Sequence, residues 1–128
     1  MSQNVELQMR LMTGFVESLQ EPLKPYISPR RFSKVLGVPV ANLAGLTGVH
    51  RNTLRNPASE RLQIKLREMV KVIKAAAILT GDISKAIYWY RNEPIADYDH
   101  KTPSELVANG HGDAVLAYLR DLENGARG

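Results

Sequence analysis

Residues 40–54 read Val40-Ala41-Asn42-Leu43-Ala44-Gly45-Leu46-Thr47-Gly48-Val49-His50-Arg51-Asn52-Thr53-Leu54 in one unbroken run. It has the spacing of two short helices joined by a tight bend, the helix-turn-helix pattern. Leu43 and Ala44 fall where the first helix packs against the second, and the small Ala44 side chain lets the two approach. Gly48 stands at the bend, where a chain leaving a helix often needs a positive φ that glycine adopts without steric cost. Val49 and Leu54 are expected to turn inward. His50, Arg51, Asn52, Thr53 and Arg55 are then left on the outer face of the second helix, a set of donors suited to base edges and phosphates. Helical hairpins with a glycine bend also occur in domains that never meet DNA. Spacing alone therefore leaves the role of this face open.

Charge distribution favours the DNA reading. Residues 30–85 hold eleven Lys and Arg against three acids, whereas residues 1–29 hold two against three and residues 86–128 hold four against seven. A basic middle between mildly acidic ends is the footprint of a module that lies on a polyanion. Within that middle, Lys65 is expected to meet phosphate. Arg67, Lys71 and Lys74 read equally well as a solvated helix face.

With 128 residues and 44% apolar content, the chain suits one domain or two small ones and needs no staples to build a core. It has no cysteine, which excludes disulfides and thiolate metal sites within it and fits a reducing compartment. No run of eighteen apolar residues occurs, and the first residues lack the pattern of a cleaved signal. A soluble cytoplasmic protein is expected.

The punctuation of the chain is helical throughout. Residues 3–20 place Val5, Met9, Met12, Val16 and Leu19 at alternating steps of four and three, the seam of a paired helix. That seam serves either self-association or packing within the chain. Ser28-Pro29 supplies an N-cap and a first-turn proline to a helix that carries Phe32, Val35 and Leu36 inward and stops at Gly37. Pro39 opens the first helix of the motif, and Pro57 limits the second to about two turns. Ser59 caps a long helix with Leu62, Leu66, Met69, Val70, Ile73 and Ala77 on one stripe, running to about Thr80. A further helix ends near Asn92, and a loop of about eight residues follows. Thr102-Pro103-Ser104-Glu105 reads as a capping box, starting a short helix that stops at Gly110. A last helix from about Asp113 to Glu123 buries Val115, Leu116, Leu119 and Leu122 and ends at Gly125. Nothing of useful length alternates with period two, so the fold is expected to be all-α. Four segments follow: 1–27, an N-terminal helix suited to dimerisation; 28–58, the DNA-binding unit; 59–80, a connecting helix; and 81–128, a C-terminal unit.

The residues after the motif carry a family pattern. The order Gly81-Asp82, Ala86, Trp89, Asn92, Pro94, Thr102-Pro103, Glu105-Leu106, Gly112, Val115, Leu119, Glu123 and Gly125 resembles the toxin-binding domain of the Xre/MbcA/ParS antitoxins. Taken with the upstream helix-turn-helix, the resemblance runs from about Phe32 to Gly125. It implies a protein that neutralises a RES-domain toxin, which consumes NAD or transfers ADP-ribose, and that binds operator DNA to repress its own operon. It also implies a homodimer and a larger toxin-bound complex. Toxin contacts are implied at Tyr90, Arg91, Thr102, Arg120, Asn124 and Arg127, with the tail beyond Glu123 reaching into the toxin cleft. Two departures stand out: His100 occupies a position where glycine is common just before the Thr-Pro pair, and the link from recognition helix to long helix is short.

The aromatic residues of the C-terminal third divide between core and surface. Trp89 is expected to anchor the core, and one of Tyr88 and Tyr90 must face outward. Catalysis has little support. His50, His100 and His111 form no helical metal pair, Asp97, Asp99 and His100 lack the spacing of a calcium loop, and no glycine-rich phosphate cradle follows a strand. No enzyme, cofactor or metal is expected. The competing class is a helical protein-interaction adaptor, or a transcriptional regulator with no toxin partner. Arg51, Asn52, Thr53 and Arg55 weigh against the adaptor, because a packing unit has no need of four donors on one exposed face.

Overall fold

Caps and glycines set most helix boundaries. The structure, a computed structural model, describes residues 2–127, with side chains described for residues 6–125. Seven α-helices are found among them: α1 Ser2–Leu19, α2 Pro29–Leu36, α3 Leu43–Thr47, α4 Glu60–Thr80, α5 Ile83–Asn92, α6 Pro103–Ala108 and α7 Gly112–Arg127. Short 3₁₀ segments cover Val40–Asn42, Arg51–Arg55 and Ala96–Tyr98. Only two isolated bridges, Gln20 with Ile27 and Ile95 with Lys101, have sheet-like pairing, so the described chain is all-α. No helix among the described residues is long and apolar enough to cross a membrane.

α4 is the axis. Ser59 caps its start by accepting the Leu62 N–H, and Gly81, in the left-handed region, closes its end. The expected stripe of Leu62, Leu66, Met69, Val70, Ile73 and Ala77 is buried throughout, together with Gln63, Val72 and Ala76. The buried face is wider than one stripe because α1, α3, α5, α6 and α7 all pack against this helix. One apolar cluster runs from Phe15 to Leu119, so the segments distinguished in the sequence share a single core. Gln63, 3% exposed, pins two loops to α4. Its amide oxygen accepts the Ile27 N–H and its amide nitrogen donates to the Ile27 and Pro57 carbonyls, all at 2.8 Å.

Several expectations need correction. The α1 seam reaches the core only at its C-terminal end, where Phe15 and Leu19 are buried and Met12 and Val16 half-buried. Met9 is 63% exposed, as are the flanking Leu7 and Leu11 in large part, because only α2 and α4 meet this helix in force. Val5 lies outside the residues whose side chains are described. Val35 is exposed; the eight-residue α2 buries Phe32, Ser33 and Leu36 instead. Gly125 does not stop α7, which continues to Arg127, and Leu122, near the end of that helix, is 45% exposed. No free tail therefore begins at Asn124. The loop before α6 is ordered by Ile95, whose N–H donates to the Lys101 carbonyl at 2.9 Å, and it holds Asp99 and His100 at φ of 58° and 61°. A glycine at position 100 would meet that requirement without strain.

Gly48 combines two constraints. Its φ is 74°, and a Cβ placed on it would lie 2.7 Å from the Ala108 carbonyl oxygen, because α3 packs directly on α6. Gly45, inside α3, faces open space: a methyl group there would meet nothing within 4 Å. Gly48→Ala is expected to cost more than about 2 kcal/mol, from left-handed strain of about 1–2 kcal/mol plus the clash. Gly45→Ala should be neutral or stabilising by up to about 1 kcal/mol. Urea denaturation of the two variants checks the contrast.

Candidate nucleic-acid interface

The segment expected to be a recognition α-helix is a 3₁₀ helix of five residues, Arg51–Arg55. His50 is extended and caps it, its Nδ1 accepting the Asn52 N–H at 3.1 Å. The Thr53 N–H then donates to the His50 carbonyl and the Asn56 N–H to the Thr53 carbonyl, the three-residue step of a 3₁₀ helix. Pro57 has no N–H to continue the ladder. At about 2 Å per residue the segment spans roughly 10 Å, about three base-pair steps.

The faces fall as expected. Val49 and Leu54 are half-buried against the core, and His50, Arg51, Asn52 and Arg55 are exposed. Thr53 is half-buried. The exposed four line an open concavity of about 640 Å³ whose opposite wall is the backbone-rich surface of Ala44, Gly45 and Gly48. Neither Arg51 nor Arg55 is ion-paired among the described residues. On the far side of Leu54, a second concavity is lined by Arg30 and Arg31 at the start of α2 together with Val40 and Pro57. These two arginines flank the 3₁₀ segment, although in the sequence they stand out only as part of the basic middle. Their signal was position: Ser28-Pro29 places both in the first turn of a helix.

Lys65 is not on this face. Its ammonium lies 3.5 Å from Glu68, and the Glu68 carboxyl lies where a Cβ on Gly112 would be, 2.8 Å away. Lys65 thus borders the start of α7 and does not line the concavity.

Of the residues implied as toxin contacts, one is buried, two hold structural hydrogen bonds and two are exposed on α7. Tyr90 is a core residue with 0% exposure, one turn from buried Ala86, and Tyr88, 68% exposed, takes the outward position. Burial, and secondarily the Glu68 carboxylate, push the Tyr90 phenol well above its usual range, and its hydroxyl has no hydrogen-bond partner among the described residues. Trp89 is only half-buried, so Tyr90 is the aromatic anchor here. Arg91 donates from Nη1 to the Leu36 carbonyl at 2.8 Å, tying α5 to the end of α2. Thr102 is committed to its capping box: its hydroxyl accepts the Glu105 N–H, and the Glu105 carboxylate accepts the Thr102 N–H at 2.9 Å. The Thr102 N–H and then its hydroxyl, each donating to the Glu105 carboxylate, hold that carboxyl below the usual range. Arg120 and Asn124 are exposed one turn apart on α7, and the Arg127 side chain lies outside the described residues.

Among the described residues, no three His, Cys, Asp or Glu side chains come together to hold a metal ion. Comparison with known protein families, with curated proteins and with solved structures finds no match. Function therefore has to follow from the site itself.

Arg91 separates a structural role from a binding one. Arg91→Ala should lower stability by about 1 kcal/mol, the worth of a partly exposed charged hydrogen bond to a carbonyl. Unchanged urea and thermal midpoints would make Arg91 a pure surface contact.

Proposed function

We propose that this chain is a cytoplasmic DNA-binding antitoxin: it occupies operator DNA through Arg51, Asn52 and Arg55 and neutralises a RES-domain toxin through its C-terminal third. The observation that carries the DNA half is the unpaired Arg51 and Arg55 side chains on the 3₁₀ segment, seated in the most basic part of the chain. Arg30 and Arg31 beside it suit backbone phosphates, which position a reader without specifying sequence. A segment covering about three base pairs selects too few bases to find one site in a genome, so two copies act on half-sites about one helical turn, or a multiple, apart. Leu7 and Leu11, exposed one turn apart on α1, are suited to join them.

The toxin half rests on the resemblance of residues 81–125 and on charge. Residues 86–128 hold four basic and seven acidic residues, a balance opposite to that of the reader. A toxin cleft built for an anionic dinucleotide is attracted to such a surface, which speeds encounter. Tyr88, Arg120 and Asn124 are the exposed residues this reading retains; Tyr90 is withdrawn to the core.

Arg51→Ala and Arg55→Ala should each weaken operator binding by about 1–3 kcal/mol where the lost contact is a guanine edge, while Lys65→Ala leaves it unchanged. Gel shifts against the chain's own upstream DNA test this. Undiminished binding by both arginine variants means that DNA is read elsewhere or not at all, and the interaction adaptor becomes the better reading. For the toxin half, the adjacent gene product should copurify with the chain. Coexpression should rescue growth, and a chain lacking residues 120–128 should rescue less.

A further inference from the structure

Between the end of α1, the 25–27 turn and α4 lies a groove that neither half of the proposed function uses. Its floor is apolar, formed by Val16, Ile27 and Val70, with half-buried Tyr26 at one side. Its rim is cationic: Arg67, Lys71 and Lys74 follow one another at steps of four and three on α4 and so share one face of that helix. Arg67 is 3.6 Å from Glu60, but neither Lys71 nor Lys74 has an acidic partner among the described residues. The groove does not depend on flexible walls. Gln63, itself part of the lining, fastens the turn to α4 by its three hydrogen bonds, and Pro25 stiffens the approach.

We infer that this groove binds a small amphipathic anion, a molecule with an aliphatic or aromatic body and one carboxylate or phosphate headgroup. The body covers Val16, Ile27 and Val70, and the headgroup takes the two unpaired lysines. Size selects a small molecule over a protein partner. The groove encloses about 290 Å³, at the lower end of small-molecule sites, whereas two turns of an α-helix occupy roughly 850 Å³. Charge selects an anion, because three cations line the rim and no acidic side chain does. A bound molecule touches α1 and α4 at once and therefore strengthens the attachment of α1, which among the described residues packs on the core through its last turns.

The full chain can be tested with 8-anilino-1-naphthalenesulfonate, which has an aromatic body and one anionic group. The expected result is saturable binding at one dye per chain, with amide NMR shifts centred on Val16, Tyr26 and Ile27. The double substitution Lys71→Gln with Lys74→Gln should weaken binding about tenfold while leaving the thermal midpoint in place, since both lysines lie outside the core. The neutral analogue N-phenyl-1-naphthylamine should bind about tenfold more weakly than the sulfonate. Displacement of the dye by octanoate, by octyl phosphate or by both supports the site and identifies the headgroup. Displacement by neither overturns it, as does undiminished dye binding by the double variant. Shifts centred on the exposed Ile78, Leu79 and Leu122 also overturn it. None of these readouts involves operator DNA or a toxin.

Discussion

Enclosure of α4 is the constraint on which the remaining structure depends. Leu62, Leu66, Met69, Val72 and Ile73 have no exposed surface, and they cannot reach that state unless helices approach from several directions at once. Each side chain of this size contributes about 1.5–3 kcal/mol when removed from water. That gain offsets the ordering of the short helices α3 and α6, which at five and six residues would not hold together in isolation. The proposed reader inherits its placement from this arrangement. Val49, just ahead of the 3₁₀ segment, and Leu54, within it, rest on the same cluster, and no residue of the segment is fully buried.

Much of this was legible in the sequence where a local rule and a tertiary demand agree. Ser28, Ser59 and Thr102 all cap as their spacing indicates, and Gly37, Gly48 and Gly81 all adopt the left-handed conformation that ends a helix. The α4 stripe was readable for the same reason: a 3.6-residue period and a single continuous core ask for the same residues. Gly125 shows the limit of the rule, since a glycine permits a stop without requiring one and α7 runs through it.

The misplaced site residues share a different cause. Choosing between Tyr88 and Tyr90 requires the rotation of α5 about its axis, which is set by how Ala86 and Tyr90 meet α4 and has no local signature. Arg91 is a long cation whose partner, the Leu36 carbonyl, belongs to a contact that only the tertiary fold creates, whereas Lys65 pairs locally with Glu68, three residues on along α4, and it is the seating of Glu68 against Gly112 that has no local signature. The segment Arg51–Arg55 stands out in the sequence by composition, but its 3₁₀ character follows from the His50 cap and Pro57 acting together over five residues. Gln63 was invisible for the opposite reason: a glutamine on an apolar stripe looks like an interruption until the loops it fastens are known.

The seating of Gly48 against the Ala108 carbonyl has a mechanical side. That contact joins the bend ahead of the proposed reader to the last residue of α6, two points sixty residues apart in sequence, with no side chain in between to absorb movement. Side-chain packing yields by rotamer changes; a backbone resting on a backbone transmits displacement almost undamped. The pitch at which Arg51 and Arg55 face outward and the attitude of α6 therefore behave as one rigid coordinate. Movement of α6 thus reaches the bend ahead of Arg51 directly, with no intervening chain of residues needed to relay it.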